Sequence, residues 1–243
     1  MQLAADLHVH SIASGHAYST ITENARAGKE RGLAAIAITD HGPSLPGASH
    51  LYHLGNMKAL PPEIEGIRVL HGVEANVMDR DGKLDVPEFY LLRLDIVLAG
   101  LHTLCSPHGS VEENTRMLIK TIENPWVDVV VHPGNPEYEV DLEKVVQAAA
   151  VSGTALEINN SSLTVSRKGS ACNCLLVAQL AVRCGARLMI GTDSHYHTHV
   201  GDFSAALALL REAGVTEDMV INTDMSKVEA YLTRRHKARR NSR

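Results

Sequence analysis

The residues best equipped for chemistry sit where apolar runs end. Near the start, Asp6-Leu7-His8-Val9-His10 places polar residues at every second position of a run that otherwise reads as a buried strand. Side chains two apart on a strand share a face, and the rise per residue puts the α-carbons of His8 and His10 about 7 Å apart. Two imidazoles at that spacing can converge on one metal ion, each nitrogen about 2.0–2.1 Å from it. Other apolar runs end in the same way: in His41, in Glu74, in His102, in His132, and in Asp193 with His195 two residues on. Fourteen histidines against two phenylalanines and one tryptophan is an unusual mixture, and histidine is the commonest metal ligand. A capped strand end or a satisfied polar group would explain any one of these residues, but not the set. In a parallel barrel the strand ends share one rim, and that many buried imidazoles and carboxylates need cations as partners.

The same alternation sets other residues aside. His71 lies three positions before Glu74, on the opposite face, where it packs under a helix. His50 and His53 fall in the long loop after the second strand, His108 follows a proline, and His236 belongs to the C-terminal segment. Asp6 and Asp40 are candidates for orienting ligand imidazoles, with a plain cap or turn role as the alternative. Arg167, in Ser166-Arg167-Lys168-Gly169-Ser170 ahead of a helix start, suits a phosphate grip, against the plainer reading of a solvated loop arginine.

Something must hold these residues in place. Short apolar runs at 3–10, 34–41, 68–76, 95–103, 127–132, 155–159 and 187–193 predict seven strands. Between them, Thr20 with Glu23 and Ser110 with Glu113 spell capping boxes, and Asp141, Ser170 and Asp202 suit N-caps. Gly32, Gly153, Gly185 and Gly214 follow helical patterns where a left-handed residue is wanted. The βα alternation predicts a parallel sheet with helices outside. Asp79 to Asp85 faintly resembles a calcium loop, but Tyr90 stands at the twelfth loop position, so the stretch is expected to be a hairpin.

Length and composition set bounds. A chain of 243 residues, 44% apolar and 21% charged, fits one soluble domain. No apolar run reaches membrane-span length, and the first residues do not read as a signal peptide, so a cytoplasmic enzyme is expected. Cys105, Cys172, Cys174 and Cys184 are too few and irregular for a disulfide framework and are expected to be free thiols. Cys172 and Cys174 point apart on a helix, which argues against a zinc-thiolate pair. Residues 234–243 read as a basic, solvated extension of a domain spanning 1–233. Six of the 23 Lys and Arg lie there; without them the body carries 17 basic and 28 acidic residues, a formal charge of −11. Such a body, with few aromatics, is a poor surface for nucleic acid, although the tail offers a contact.

Taken in order, His8-Val9-His10, His16 in Ser14-Gly15-His16-Ala17-Tyr18-Ser19, Thr39-Asp40-His41-Gly42, Gly72-Val73-Glu74-Ala75-Asn76, Gly100-Leu101-His102, His132-Pro133-Gly134-Asn135-Pro136, Glu157-Ile158-Asn159-Asn160-Ser161-Ser162 and Thr192-Asp193-Ser194-His195 resemble the PHP (polymerase and histidinol phosphatase) family. More narrowly, the chain is similar to that family's small stand-alone phosphatases with a trinuclear zinc site, over about residues 3–233. The resemblance implies an α/β fold, a distorted seven-stranded (β/α) TIM-like barrel with three metal ions at its C-terminal rim. Carried over by position, His8, His10, Glu74 and Asp193 would hold the first ion. Glu74 would bridge to a second, held also by His102 and His132; His16, His41 and His195 would hold the third. The ions would be zinc, with manganese or iron as alternatives. A hydroxide bridging two of them would attack a small-molecule phosphomonoester, with Glu74, Asp193 and Arg167 as the catalytic groups. The sequence departs from the pattern after His195, where His197 and His199 add two histidines. Competing readings are an exonuclease or phosphodiesterase acting on nucleic acid or nucleotides, a histidinol phosphatase, and a non-enzymatic metal store or structural cluster.

Overall fold

The computed structural model describes residues 1–241. Its sheet holds β1 (Ala5–Val9), β2 (Ala35–Ile38), β3 (Glu63–Ile64), β4 (Ile67–Asn76), β5 (Ile96–Gly100), β6 (Val129–Val130), β7 (Ala155–Asn159) and β8 (Leu188–Gly191). Seven of these run parallel in the order β1-β2-β4-β5-β6-β7-β8, and the short β3 pairs antiparallel with β4. The sequence pattern did not predict β3, because a two-residue strand carries no periodicity. The sheet curls into a nearly closed barrel. At the seam Val9 of β1 bridges Ser194, just past β8, and the Asn222 side chain ties the two strands by donating to the carbonyls of Ala5 and Ile190.

Helices α1 (Ile21–Glu30), α2 (Leu51–Asn56), α3 (Glu88–Leu91), α4 (Val111–Glu123), α5 (Leu142–Ser152), α6 (Ser161–Thr164), α7 (Ser170–Cys184), α8 (Ser204–Glu212) and α9 (Met225–Asn241) complete the fold. Both capping boxes form, at α1 and α4, and Asp141 caps α5. Two expected caps differ. Gly169, at φ 98°, holds the cap position of α7, and Ser170 is the first helical residue. Phe203 holds that of α8, with Asp202 accepting from the Ser204 amide. The stretch after β4 is a hairpin, bridged from Val77 to Leu84. All four cysteines are free. Among the described residues no helix is long and apolar enough to cross a membrane.

Alternate strand positions divide the core in two. Ala5, Leu7, Ala35, Ala37, Leu70, Ile96, Leu98, Val129, Val131, Ala155 and Met189 form the inner cluster, closed from below by Ile221 and by Val228, Tyr231 and Leu232 of α9. The other parity packs beneath the surrounding helices; His71 takes it, as expected.

The expectation of a solvated basic tail from residue 234 is corrected here. Helix α9 continues to Asn241, and Arg235 and Arg239 are buried at 7% and 5% exposure. Arg239 pairs with the buried Asp128 and donates to the Trp126 carbonyl, while Arg235 donates to the Ser152 carbonyl. A buried carboxylate and the main-chain carbonyls of Trp126 and Ser152 make this segment structural, which charge density alone does not reveal. Ser242 and Arg243 lie outside the described residues.

Candidate metal centre

A bulge in β1 aims the first histidines. Asp6 pairs with Ile36 and Val9 with Ile38, so β1 spends one more residue than β2 over the same span. Leu7 and His8 therefore both face inward, and His10 follows His8 into the barrel mouth. Asp6 is thrown to the other face. There it accepts from the Thr192 hydroxyl and amide and the Gly201 amide, so it ties β1 to the β8 loop and orients no imidazole. Burial, only partly offset by these bonds, raises its pKa to about 6. Past the other strands, His41, Glu74, His102 and Asp193 arrive by simple alternation. His132 does not: it follows the inward Val131 and takes φ 37°, its amide leaving the ladder to donate to Glu157 Oε2. Asp193 (φ 54°) and Arg167 (φ 45°) are also left-handed, so three site residues hold backbone conformations that cost free energy elsewhere.

The hydrogen-bond network sets the tautomers. His8 Nδ1 donates to Glu157 Oε1 at 2.7 Å. Ser14 gives its own hydrogen to Asp40, so its oxygen accepts from His10 Nδ1 at 2.9 Å. The Asn76 amide nitrogen is spent on Gly42 and Asp85, which leaves Oδ1 to accept from His102 Nδ1 at 2.7 Å. His16 and His195 donate Nδ1 to the carbonyls of Ser14 and Asp193. Five imidazoles thus use Nδ1 as a donor and turn Nε2 inward, as a bare lone pair wherever the ring is neutral.

Those lone pairs meet other acceptors. His8 Nε2 lies 3.1 Å from His10 Nε2, and His16 Nε2 lies 3.0 Å from His195 Nε2. Five separations among His8 Nε2, His10 Nε2, Glu74 Oε2 and Asp193 Oδ1 run from 3.1 to 3.5 Å. Donors about 2.0–2.1 Å from one tetrahedral ion stand about 3.3–3.4 Å apart, so this quartet has the size of a zinc site. Glu74 Oε2, Asp193 Oδ1 and His41 Nδ1 are buried and make no well-formed hydrogen bond, although His41 Nδ1 stands 2.8 Å from Glu74 Oε2. The donor set fits a metal.

Protonation agrees with the geometry. Burial lowers His10 to about 3 and His132 to about 4, and lowers His16 as well, which leaves the neutral form that ligates. For Glu74 burial opposes ionisation, but His41, His102 and His8 overcome it and hold the carboxylate well below its ordinary range. Asp193 is held down in the same way by His8 and Arg167. His8 is the exception: burial opposes its charge, yet Glu157, Asp193 and Glu74 raise it well above 6.5. Without a cation, a proton on His8 partly answers that carboxylate charge.

Above the cluster opens a cleft of about 720 Å³ lined by His16, His41, His102, Asp193 and His195 together with Arg167, Asn135 and Glu137. Arg167 donates to Asp193 Oδ2 at 2.8 Å. All nine expected ligands thus gather at one end of the barrel: the rings of His10, His16, His41 and His195 are neighbours, and His102 and His132 reach Glu74 Oε1 at 3.0 and 2.8 Å. The histidines set aside stay apart from the quartet. His50 caps α2, His53 reaches Asp40, His108 stacks on Tyr138, and His236 bonds the Asp95 carbonyl. His197 bonds Ser19, and His199 lines the cleft wall. Sequence reasoning gave no role to Glu157, Ser14 or Asn76. Glu157 carried a readable signal, a carboxylate inside the apolar β7; the other two had none.

The parallel barrel carries at its C-terminal rim a cluster of histidines and carboxylates that could hold metal ions. The profile of the PHP domain matches residues 6–222. A protein named probable phosphatase from Thermoanaerobacter sp. (strain X514) is 52% identical over 233 residues, 96% of this chain and 95% of that one. Another of that name from Acetivibrio thermocellus is 45% identical over 235 residues, 97% of each chain. In structure the chain is similar to a histidinol phosphate phosphatase from Lactococcus lactis, solved with zinc, L-histidinol and phosphate: TM-score 0.67 at 17% identity, covering 89% of this chain and 95% of that one. The chain belongs to the PHP family.

Proposed function

We propose that this PHP-family protein is a metal-dependent phosphatase that hydrolyses a small-molecule phosphomonoester at a site of three divalent ions. One observation carries the reading: the two oxygens of Glu74 face two different donor groups. Oε2 lies toward His8, His10 and, at 2.8 Å, His41, and Oε1 toward His102 and His132, the arrangement a bridging carboxylate needs. In this reading Glu74 would be shared between a first ion, which His8, His10 and Asp193 would hold, and a second, which His102 and His132 would hold. His16, His41 and His195 would hold a third. The mixed imidazole and carboxylate set suits zinc, with manganese or iron as alternatives.

Bound ions would supply an activated water at neutral pH and would neutralise charge on the phosphoryl oxygens. The chain's own groups do the rest. Glu157 and Ser14 lock the rings of His8 and His10 so that Nε2 faces inward. Arg167, fixed by Asp193 at the cleft wall, orients a phosphoryl group and answers the charge that grows on it. The name probable phosphatase, shared by relatives that align over 95–97% of their length, supports the reaction class.

The test is reconstitution of the metal-free protein with zinc, manganese or iron, followed by elemental analysis and phosphate release from a panel of monoesters. About three ions per chain and metal-dependent release are expected. One ion or fewer after repeated reconstitution would sink the three-ion partition. His195→Ala should lose metal and His197→Ala should not.

A further inference from the structure

We propose that the mouth of the cleft is a leaving-group subsite for phosphomonoesters whose alcohol carries an apolar, flat face and no second anionic group. The inference rests on the phosphatase reading above and names its substrate class.

Tyr18, Leu104, Val165 and Tyr196 line the cleft with exposures of 75%, 71%, 74% and 46%. They come from four separate connections, those after β1, β5, α6 and β8. Single exposed apolar side chains are ordinary on a protein surface, whereas four around one cleft form a recognition patch. The two tyrosines are also held in register with the candidate metal ligands. The Tyr18 amide donates to the His195 carbonyl at 2.8 Å, and the Tyr196 carbonyl accepts from the Ser194 hydroxyl. A phosphoryl group seated over the cluster therefore projects its alcohol toward two aromatic side chains whose backbones are anchored beside the ligands.

Charge narrows the class further. Among the residues lining the cleft, Arg167 is the one Lys or Arg, and it already pairs with Asp193. The exposed Glu137 lies at the same mouth. A second phosphate or carboxylate on the alcohol would meet no free cation and one carboxylate.

The test uses metal-loaded protein and two phosphonates that cannot be hydrolysed. By calorimetry, benzylphosphonate should bind about tenfold or more tightly than methylphosphonate, the product of two aromatic contacts. The double variant Tyr18→Ser, Tyr196→Ser, altered only at exposed side chains, should bring that ratio near one. In turnover, kcat/KM for benzyl phosphate should exceed that for glycerol 3-phosphate, an alkyl monoester too, and the double variant should shrink the difference. Equal binding of the two phosphonates would overturn the subsite and leave the phosphatase reading intact. Tighter benzylphosphonate with no phosphate released from either ester would overturn the phosphatase reading, and the leaving-group assignment with it.

Discussion

The two ends of the barrel solve one problem in opposite ways. At the lower end the buried Asp128 meets the guanidinium groups of Arg239 and Arg235 from α9, and the Tyr231 hydroxyl donates to the Asp128 carbonyl while accepting from the Ala155 amide. The chain provides its own counter-charge there. At the upper end Glu74, Asp193 and Glu157 are buried together among lone pairs, and the one nearby arginine reaches only Asp193. Charge that the fold balances internally is structural; charge it leaves for an outside cation marks a working site.

That contrast can be broken most sharply at Glu74. Glu74→Gln should cut kcat/KM on the order of 10³-fold, the scale of removing a key charge from a transition-state site, with an unchanged circular dichroism spectrum. Near-normal turnover at full metal content would show that Glu74 is misassigned. At the opposite end, Asp128→Ala should cost about 3 kcal/mol of stability by removing the carboxylate that faces two buried arginines, measured by urea unfolding, with metal content unchanged. An effect on metal content but none on stability would invert the comparison.

Smaller effects sharpen it. Arg167→Ala should lower kcat/KM by roughly ten- to thousandfold, with Arg167→Lys restoring only part, because lysine keeps the charge without the planar fork. Its contact with Asp193 means that metal affinity should fall too, which competition with a chelator will read. Glu157→Gln should weaken metal binding about 10- to 100-fold by releasing the His8 ring.

The smallest effect concerns pH. Chelation should lower Tm, and lower it more at pH 8 than at pH 6. The folded His8 titrates well above 6.5, so stability from its proton is complete below the unfolded value and lost as pH rises through the folded one. Glu74 and Asp193 are ionised in both conditions and cancel. Bound metal replaces that proton, so the metal-loaded protein should show no such slope in differential scanning calorimetry.

Local patterns were readable wherever one residue's chemistry and its neighbours' spacing decide the outcome. His8 and His10 two apart, polar residues closing apolar runs, and the capping boxes at Thr20 and Ser110 are of this kind, because strand alternation and helix-end hydrogen bonds act over a few residues. The tertiary structure alone decided the rest. Asp6 continues the alternation of His8 and His10 in sequence yet faces away from them, since a bulge depends on the register of β1 against β2. Ser14 accepts from the His10 ring four residues away because Asp40, 26 residues on, takes its hydrogen, while Asn76 became a ring-orienting group and Arg239 a buried counter-charge through partners 26 and 111 residues distant. A side chain's type limits the bonds it can make; which of them it makes depends on what folding brings within about 3 Å of it.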